Sequence, residues 1–122
     1  MDFSLTEEQR AWQMKARKFA QEEIRPISMQ RDGIAGPRDT WDWEIIKKGS
    51  KLGFRTAAVP KDWGGYGIDF VTQALVMAEL AKADSAISKA FSQCWKWSHL
   101  IAAACHNEQK ERFLKPCLAD DT

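Results

Sequence analysis

The sequence predicts an all-α fold, an up-and-down bundle of about five helices around a buried helical hairpin. Two observations support this prediction. Apolar residues recur at the helical spacing i, i+3, i+4 and i+7 in several segments. The richest region, residues 70–105, holds two such segments separated by a short polar break at residues 83–85. Stripes this wide are typical of helices that are buried on most sides, so we expect other helices to cover this hairpin.

The two hairpin helices are expected over residues 70–81 and 85–104. Asp84 or Ser85 can cap the second helix, because their side-chain oxygens can accept hydrogen bonds from the free amides of its first turn. The apolar residues that predict the buried faces are Phe70, Val71, Ala74, Leu75, Met77, Ala78 and Ala81 in the first helix, and Ile87, Phe91, Cys94, Trp95, Trp97 and Ile101 in the second.

The first helix of the chain opens in residues 4–9. Two overlapping capping boxes fit its start: Ser4 with Glu7, and Thr6 with Gln9. Its predicted buried face consists of Leu5, Trp12, Ala16 and Phe19. Pro26 has no backbone N–H, so the helix is expected to end or kink near Ile24.

A second helix is expected from Asp39 or Thr40 to Leu52, followed by Gly53 as the glycine that often ends a helix. Its predicted buried face consists of Trp41, Ile45 and Leu52. Gly49 inside this helix costs about 1 kcal/mol relative to alanine, and close packing on another helix would explain it. The last helix is expected from Glu108 to about Leu118, capped by His106 or Asn107, with Phe113, Leu114 and Cys117 facing inward.

Residues 54–59 are the one candidate strand, and residues 60–67 form a glycine-rich segment. Gly64, Gly65 and Gly67 do not match the spacing of a dinucleotide-binding loop. We therefore interpret this segment as a structural turn whose glycines allow positive φ, and not as a phosphate site.

Composition excludes several classes of protein. The 122 residues include 18 basic and 17 acidic side chains, a net charge of +1, which argues against a nucleic-acid binder. No apolar run approaches the roughly 18 residues of a membrane span. Three cysteines are an odd number, and residues 1–4 do not resemble a signal peptide. We therefore expect free thiols in a reducing compartment, the cytoplasm or a mitochondrial matrix.

Few residues could carry chemistry. His99, Cys105 and His106 lack the fourth ligand of a usual zinc site and the third group of a Cys–His nucleophile, so neither is predicted. Glu79 is the one acid inside the hairpin. A buried carboxylate must be paired or neutral, and we expect it to pair with a basic residue on a neighbouring helix.

A polar stripe runs along the second hairpin helix at helical spacing. It consists of Ser85, Ser88, Lys89, Ser92, Gln93, Lys96 and His99. This stripe either faces solvent or faces a cavity shared with something outside this chain. In a cavity, the two lysines would favour anionic groups on the occupant.

The chain resembles the N-terminal all-helical domain of the flavin-dependent acyl-CoA dehydrogenases. The order and spacing of several short motifs carry the resemblance: Phe3-Ser4-Leu5-Thr6-Glu7-Glu8-Gln9, Ala16-Arg17-Lys18-Phe19-Ala20, Glu22-Glu23-Ile24-Arg25-Pro26, Leu52-Gly53, Pro60, Trp63-Gly64-Gly65-Tyr66-Gly67, Glu79-Leu80-Ala81, Glu108-Gln109-Lys110-Glu111-Arg112-Phe113-Leu114 and Pro116.

The resemblance implies an oxidoreductase that binds FAD and removes two hydrogens from the α and β carbons of an acyl-CoA thioester. It implies an electron-transfer flavoprotein as electron acceptor, and a homo-oligomer for the full-length enzyme. It also implies a middle β domain and a C-terminal helical domain, which residues 1–122 do not include. Because the glutamate base and most of the flavin site belong to those regions, we expect no catalytic residue here and an inactive fragment.

The resemblance further implies that the helix over residues 85–104 lines the acyl-chain cavity. Carried over, the substrate-binding residues are Ser88, Lys89, Ser92, Gln93 and Lys96. Family members that act on fatty acyl groups have mostly small or apolar residues here, so the lysines suggest a polar, carboxylated or bulky acyl group. Leu100 stands where proline is common and Cys105 where glycine usually precedes the last helix. A stand-alone helical interaction module and one half of a split enzyme remain alternatives.

Overall fold

The computed structural model describes residues 3–36 and 41–119, and it confirms the all-α prediction. The helices are α1 (Glu7–Phe19), α2 (Arg25–Asp32), α3 (Trp43–Lys51), α4 (Phe70–Ala81), α5 (Ser85–Ala104) and α6 (Asn107–Leu118). A π-helical turn, Ala20–Ile24, joins α1 to α2. The described residues therefore contain five separate α-helical segments, one short 3-10 helix (Lys61–Trp63) and no strand. Helix α4 packs between α1 and α5, and α6 packs on α5.

At the start of α1, the predicted capping box of Thr6 with Gln9 is formed. The Thr6 hydroxyl accepts from the Gln9 N–H at 3.2 Å, and the Gln9 side chain accepts from the Thr6 N–H at 3.0 Å. The predicted face is confirmed at Trp12, Ala16 and Phe19, which are all buried. Two free amides of the first turn are therefore satisfied before the helix enters the core.

Pro26 was predicted to end or kink the first helix near Ile24, and the helix does not end there. Regular α-helical bonding is interrupted over Ala20–Ile24 and then resumes as far as Asp32. Pro26 lies in the first turn of α2, directly after the π turn, in which the Arg25 N–H donates to the Ala20 carbonyl five residues earlier. The missing N–H of Pro26 thus follows a stretch of altered hydrogen bonding, and the helix continues beyond it.

Helix α3 begins at Trp43, three residues after Thr40 and four after Asp39, the two predicted starts. Its cap is Asp42, whose carboxylate accepts from the N–H groups of Glu44 and Ile45 at 3.0 and 3.2 Å. Asp39 and Thr40, at which the helix was predicted to begin, lie outside the described residues. Gly53 follows the helix with φ +92°, as predicted. The predicted face was wrong at two of its three positions: Ile45 is buried, whereas Trp41 and Leu52 are exposed.

Gly49 explains how so short a helix packs. A Cβ atom at this position would lie 2.4 Å from Cζ of Phe91 and 3.1 Å from Cε1 of Phe19. No side chain fits in that space, so the glycine allows the α3 backbone to approach the aromatic core. The helix-propensity cost of this glycine is therefore offset by close packing, as the sequence suggested.

Residues 54–59 form buried turns instead of the candidate strand. Phe54 is fully buried, and its ring lies 6.2, 5.5 and 5.9 Å from those of Trp12, Phe19 and Phe91. The indole N–H of Trp95 donates to the Phe54 carbonyl at 2.6 Å. A connecting segment thus occupies the centre of the core, and a side chain satisfies one of its buried carbonyls.

At α6, His106 is the capping residue, and its N–H donates to the Gln109 side chain at 3.0 Å. Leu114 is buried and Cys117 half-buried, but Phe113 is exposed, so its inward position was predicted wrongly. The three cysteines are free thiols.

Glu79 is buried and paired, as predicted. One carboxylate oxygen accepts from Arg17 at 2.9 Å, Lys82 at 3.1 Å and Gln13 at 3.2 Å, and the other accepts from the Arg17 Nε at 3.2 Å. The hydrogen bond from Arg17 is the main cause that lowers the pKa of Glu79 from 4.5 to about 2, with a smaller contribution from Lys82. The carboxylate therefore holds α1 against α4.

Glu79→Gln is expected to lower the free energy of unfolding by about 2 kcal/mol near neutral pH. The pKa shift alone corresponds to about 3 kcal/mol, and the solvent exposure of Arg17 and Lys82 reduces it. Because the folded pKa is depressed, this stabilisation is present above the unfolded pKa of 4.5 and is lost as the pH falls towards 2. Urea denaturation across this pH range measures the difference.

The matched control is Glu111→Gln, which removes an exposed carboxylate paired with Lys115 on α6. Its effect should be a few tenths of a kcal/mol, because exposed pairs contribute little. A Glu79→Gln curve that stays parallel to the wild type down to pH 2 would contradict the proposed role of the charge.

Candidate functional site

One side of the α4–α5 hairpin is open to solvent, and we call it the α4–α5 face. Its members are Phe70, Val71, Ala74, Ala78 and Ala81 from α4, and Lys89, Ser92, Gln93, Lys96 and Leu100 from α5. The large apolar side chains on it are well exposed: 77% for Phe70, 53% for Val71 and 50% for Leu100. Such an apolar area is typical of a surface that another protein part or a ligand covers.

The orientation of α4 is the reverse of what its apolar pattern predicts. The side that packs against α1 and α5 contains Val76 and Leu80 together with the polar Thr72, Gln73 and Glu79, all buried. The alanines and Phe70, which were predicted to be inside, point outward. The prediction that this helix is buried on most sides is therefore wrong.

Contacts between the helices make the two halves of the α4–α5 face one surface. The ring of His99 stacks on the ring of Phe70, with centroids 5.6 Å apart and planes inclined by 30°. The side-chain nitrogen of Gln73 lies 3.2 Å from Nε2 of His99 and also donates to the Ile68 carbonyl at 3.0 Å. His99 is thus engaged in holding α5 beside α4.

The predicted substrate-binding residues separate into two groups. Ser88 is 3% exposed, and its hydroxyl donates to the Met77 carbonyl at 3.0 Å, so it lies in the contact between α4 and α5 and not on the face. Lys89, Gln93 and Lys96 are exposed on the face. Ser92 is half-buried between them, and its hydroxyl donates to the Lys89 carbonyl at 3.0 Å.

The electrostatics of the face come from its two lysines. Helix α5 has no acidic residue, and the ion pairs between described side chains include neither Lys89 nor Lys96. The ammonium of Lys96 lies 5.3 Å from the centre of the Trp97 ring, a weak cation–π contact. The face therefore combines an apolar strip on α4 with positive charge on α5.

Among the described residues, the α4–α5 face is a surface and not a pocket. The larger of two described concavities, about 460 Å³, lies around the hairpin turn and is lined in part by Arg31, Trp41, Asp84 and Ser85. The smaller, about 70 Å³, lies beside Glu79. Neither includes the four exposed or half-buried site residues, so a cavity at the face requires a covering element.

The glycine-rich segment is a structural turn, as predicted. The N–H groups of Gly64, Gly65 and Gly67 donate to the carbonyls of Lys61, Pro60 and Val59 at 2.9, 3.2 and 2.9 Å. Positive φ values of +88° and +59° at Gly64 and Gly67 explain two of the glycines. Since these amides are all engaged, the turn cannot cradle a phosphate, and this part of the chain does not fit the pyrophosphate of FAD.

The described residues give no support for a metal site or a membrane-spanning helix. They contain no group of three or more His, Cys, Asp or Glu side chains that could hold a metal ion. None of their helices is both long and apolar enough to cross a membrane.

The α4 half of the face was missed because its alanines and Phe70 form an apolar pattern that also suits a core. The signal that identifies it is on the other side of the helix. Thr72, Gln73 and Glu79 share a side with Leu80, and three polar groups at these positions indicate a contact within the domain that satisfies them.

Comparison with known proteins gives concordant results. The model of the family described as acyl-CoA dehydrogenase, N-terminal domain, matches residues 6–121. The short-chain specific acyl-CoA dehydrogenase of Clostridium acetobutylicum is 30% identical over 120 residues, which cover 95% of this chain and 30% of that protein. The 3-(aryl)acrylate reductase of Clostridium sporogenes is 32% identical over 117 residues, with 93% and 29% covered.

Structural comparison agrees. The structure of butyryl-CoA dehydrogenase from Megasphaera elsdenii matches with a TM-score of 0.81 and 28% identity, over 98% of this chain and 31% of that one. The chain spans about 30% of the length of these relatives. The helical architecture and the match over nearly all its residues together show that the chain belongs to the acyl-CoA dehydrogenase family, as the N-terminal domain.

Proposed function

We propose that this chain is the substrate-side domain of a FAD-dependent acyl-CoA dehydrogenase, in which the α4–α5 face forms one wall of the acyl-group cavity. The observation that supports the proposal is the outward apolar strip of α4, with Ala74, Ala78 and Phe70 exposed beside the polar row of α5. Alanines leave room for an acyl chain to lie along the helix, and the aromatic ring adds apolar contact.

The described residues shape and orient the acyl group and carry out no chemical step. No carboxylate lies on the α4–α5 face, so the base comes from elsewhere in the enzyme. The flavin is likewise assigned to regions outside this chain. An electron-transfer flavoprotein as acceptor, a homo-oligomer and a location in the cytoplasm or mitochondrial matrix remain predictions from the family.

The substitution Ala74→Phe in the full-length enzyme tests whether the α4–α5 face forms a wall of the acyl-group cavity. A phenyl ring projecting from α4 is expected to lower kcat/KM for hexanoyl-CoA at least about tenfold, with a smaller loss for propionyl-CoA, because a longer chain reaches further along the wall. The matched control is Ala11→Phe, which adds the same ring to an exposed position of α1 and should leave both values unchanged.

Steady-state assays with an artificial electron acceptor give both values. Equal losses of kcat/KM for the two thioesters, or no loss, would show that the α4–α5 face does not line the acyl cavity. A folded full-length protein that oxidises no acyl-CoA would instead favour the stand-alone helical module.

A further inference from the structure

The two lysines of α5 are placed to act together. Lys89 and Lys96 are seven residues apart, which puts them on the same side of the helix and about 10 Å apart along its axis. Ser92 lies between them, and the exposed amide of Gln93 lies alongside. The helix therefore presents two positive charges and the exposed amide of Gln93 along one side.

This row borders an apolar strip directly. His99 on α5 stacks on Phe70 of α4, and Ser88 is bonded to Met77, so the two helices are in close contact along this side. The exposed alanines of α4 continue the strip beside Phe70. A ligand that lies along the strip reaches apolar surface and positive charge at the same time.

Covering the face changes the environment of these charges. A charge that is removed from water must be paired, because its lost hydration is otherwise uncompensated. Helix α5 has no acid of its own, and the described ion pairs involve neither Lys89 nor Lys96. The group that covers the face therefore has to bring negative charge next to an apolar segment.

We propose that the acyl group bound at the α4–α5 face carries a carboxylate at its far end, and that Lys89 and Lys96 bind this carboxylate while the methylene chain lies on the alanines and Phe70 of α4. This inference rests on the proposed function, since it names the substrate class of that wall. It selects a dicarboxylic acid linked to CoA through one carboxyl group over a plain fatty acyl group.

The test compares glutaryl-CoA with pentanoyl-CoA, which have the same number of acyl carbons and differ in the terminal carboxylate. Calorimetry on the full-length enzyme measures the dissociation constant of each thioester, and an assay with an artificial electron acceptor measures its oxidation. Glutaryl-CoA is expected to bind at least about tenfold more tightly, because charge-assisted hydrogen bonds to a carboxylate are strong.

Variants of the two lysines show which residues cause the preference for glutaryl-CoA over pentanoyl-CoA. Lys89→Gln and Lys96→Gln are each expected to reduce the preference for glutaryl-CoA by roughly tenfold. Lys89→Arg keeps the charge and should retain the preference. Lys18→Gln removes an exposed lysine of α1, away from the face, and should retain it as well.

The outcomes separate the two proposals. Tighter binding of pentanoyl-CoA overturns the carboxylate site. Equal losses for both thioesters in the lysine variants also overturn it, because they place the lysines at the CoA phosphates. A lysine-dependent preference for glutaryl-CoA without oxidation of either thioester supports the carboxylate site and contradicts the dehydrogenase function.

Discussion

Phe54→Ala is expected to lower the free energy of unfolding by about 4 kcal/mol, a loss that a domain of this size barely tolerates. Phe54 is fully buried, and its ring contacts the rings of Trp12, Phe19 and Phe91. These rings come from α1, α1 and α5, so they cannot collapse into the cavity without moving whole helices. Urea denaturation followed by tryptophan fluorescence measures the loss.

Phe113→Ala is the matched control for this prediction. Phe113 is also a phenylalanine of this domain, but 51% of its surface is exposed on α6. Its truncation should change stability by no more than about 0.5 kcal/mol. Similar losses for the two variants would mean that the segment over residues 54–59 does not form the core.

Gly65→Ala is expected to destabilise the domain by about 3 kcal/mol, although it adds only a methyl group. The added Cβ would lie 2.2 Å from the carbonyl oxygen of Val59 and 2.6 Å from its carbonyl carbon. Both are backbone atoms, so the clash cannot be relieved by a side-chain rotation. The turn must shift, and the hydrogen bond from Gly67 to the same carbonyl shifts with it.

Gly33→Ala is the control for this second prediction. Gly33 has φ −82°, and a Cβ there would meet its nearest atoms at 3.7 and 4.0 Å. The substitution should be neutral or stabilise by a few tenths of a kcal/mol, because alanine reduces the freedom of the unfolded chain. A thermal melt in which both variants match the wild type would rule out the close approach at Gly65.

The helices were predictable because their signals are local. The two hairpin helices have the predicted bounds, and Asp84 caps the second, accepting from the N–H groups of Ala86 and Ile87 at 2.8 and 3.2 Å. The buried turns over residues 54–59 were not predictable in this way. Their conformation depends on partners more than 30 residues away, such as Trp95, which a local apolar run does not indicate.

The exposed polar row of α5 was predictable, and the outward apolar strip of α4 was not. Polar residues at helical spacing revealed the α5 row, because lysine and glutamine are seldom placed in a core. Ser88 does not belong to the exposed row, because its small hydroxyl bonds to the Met77 carbonyl in the contact between α4 and α5. On α4, the apolar pattern does not show whether a side packs inside this domain or points away from it.

The packing of α1 against α4 has a consequence for the order of folding. The bonds of Glu79 to Arg17 and Gln13 connect residues 62 and 66 positions apart, and Phe54 meets Trp12 across more than 40 positions. The N-terminal helix therefore cannot complete its core contacts until the hairpin has formed. Since such loops must close before their contacts stabilise them, we expect this domain to fold more slowly than a helical bundle whose neighbours in sequence pack together.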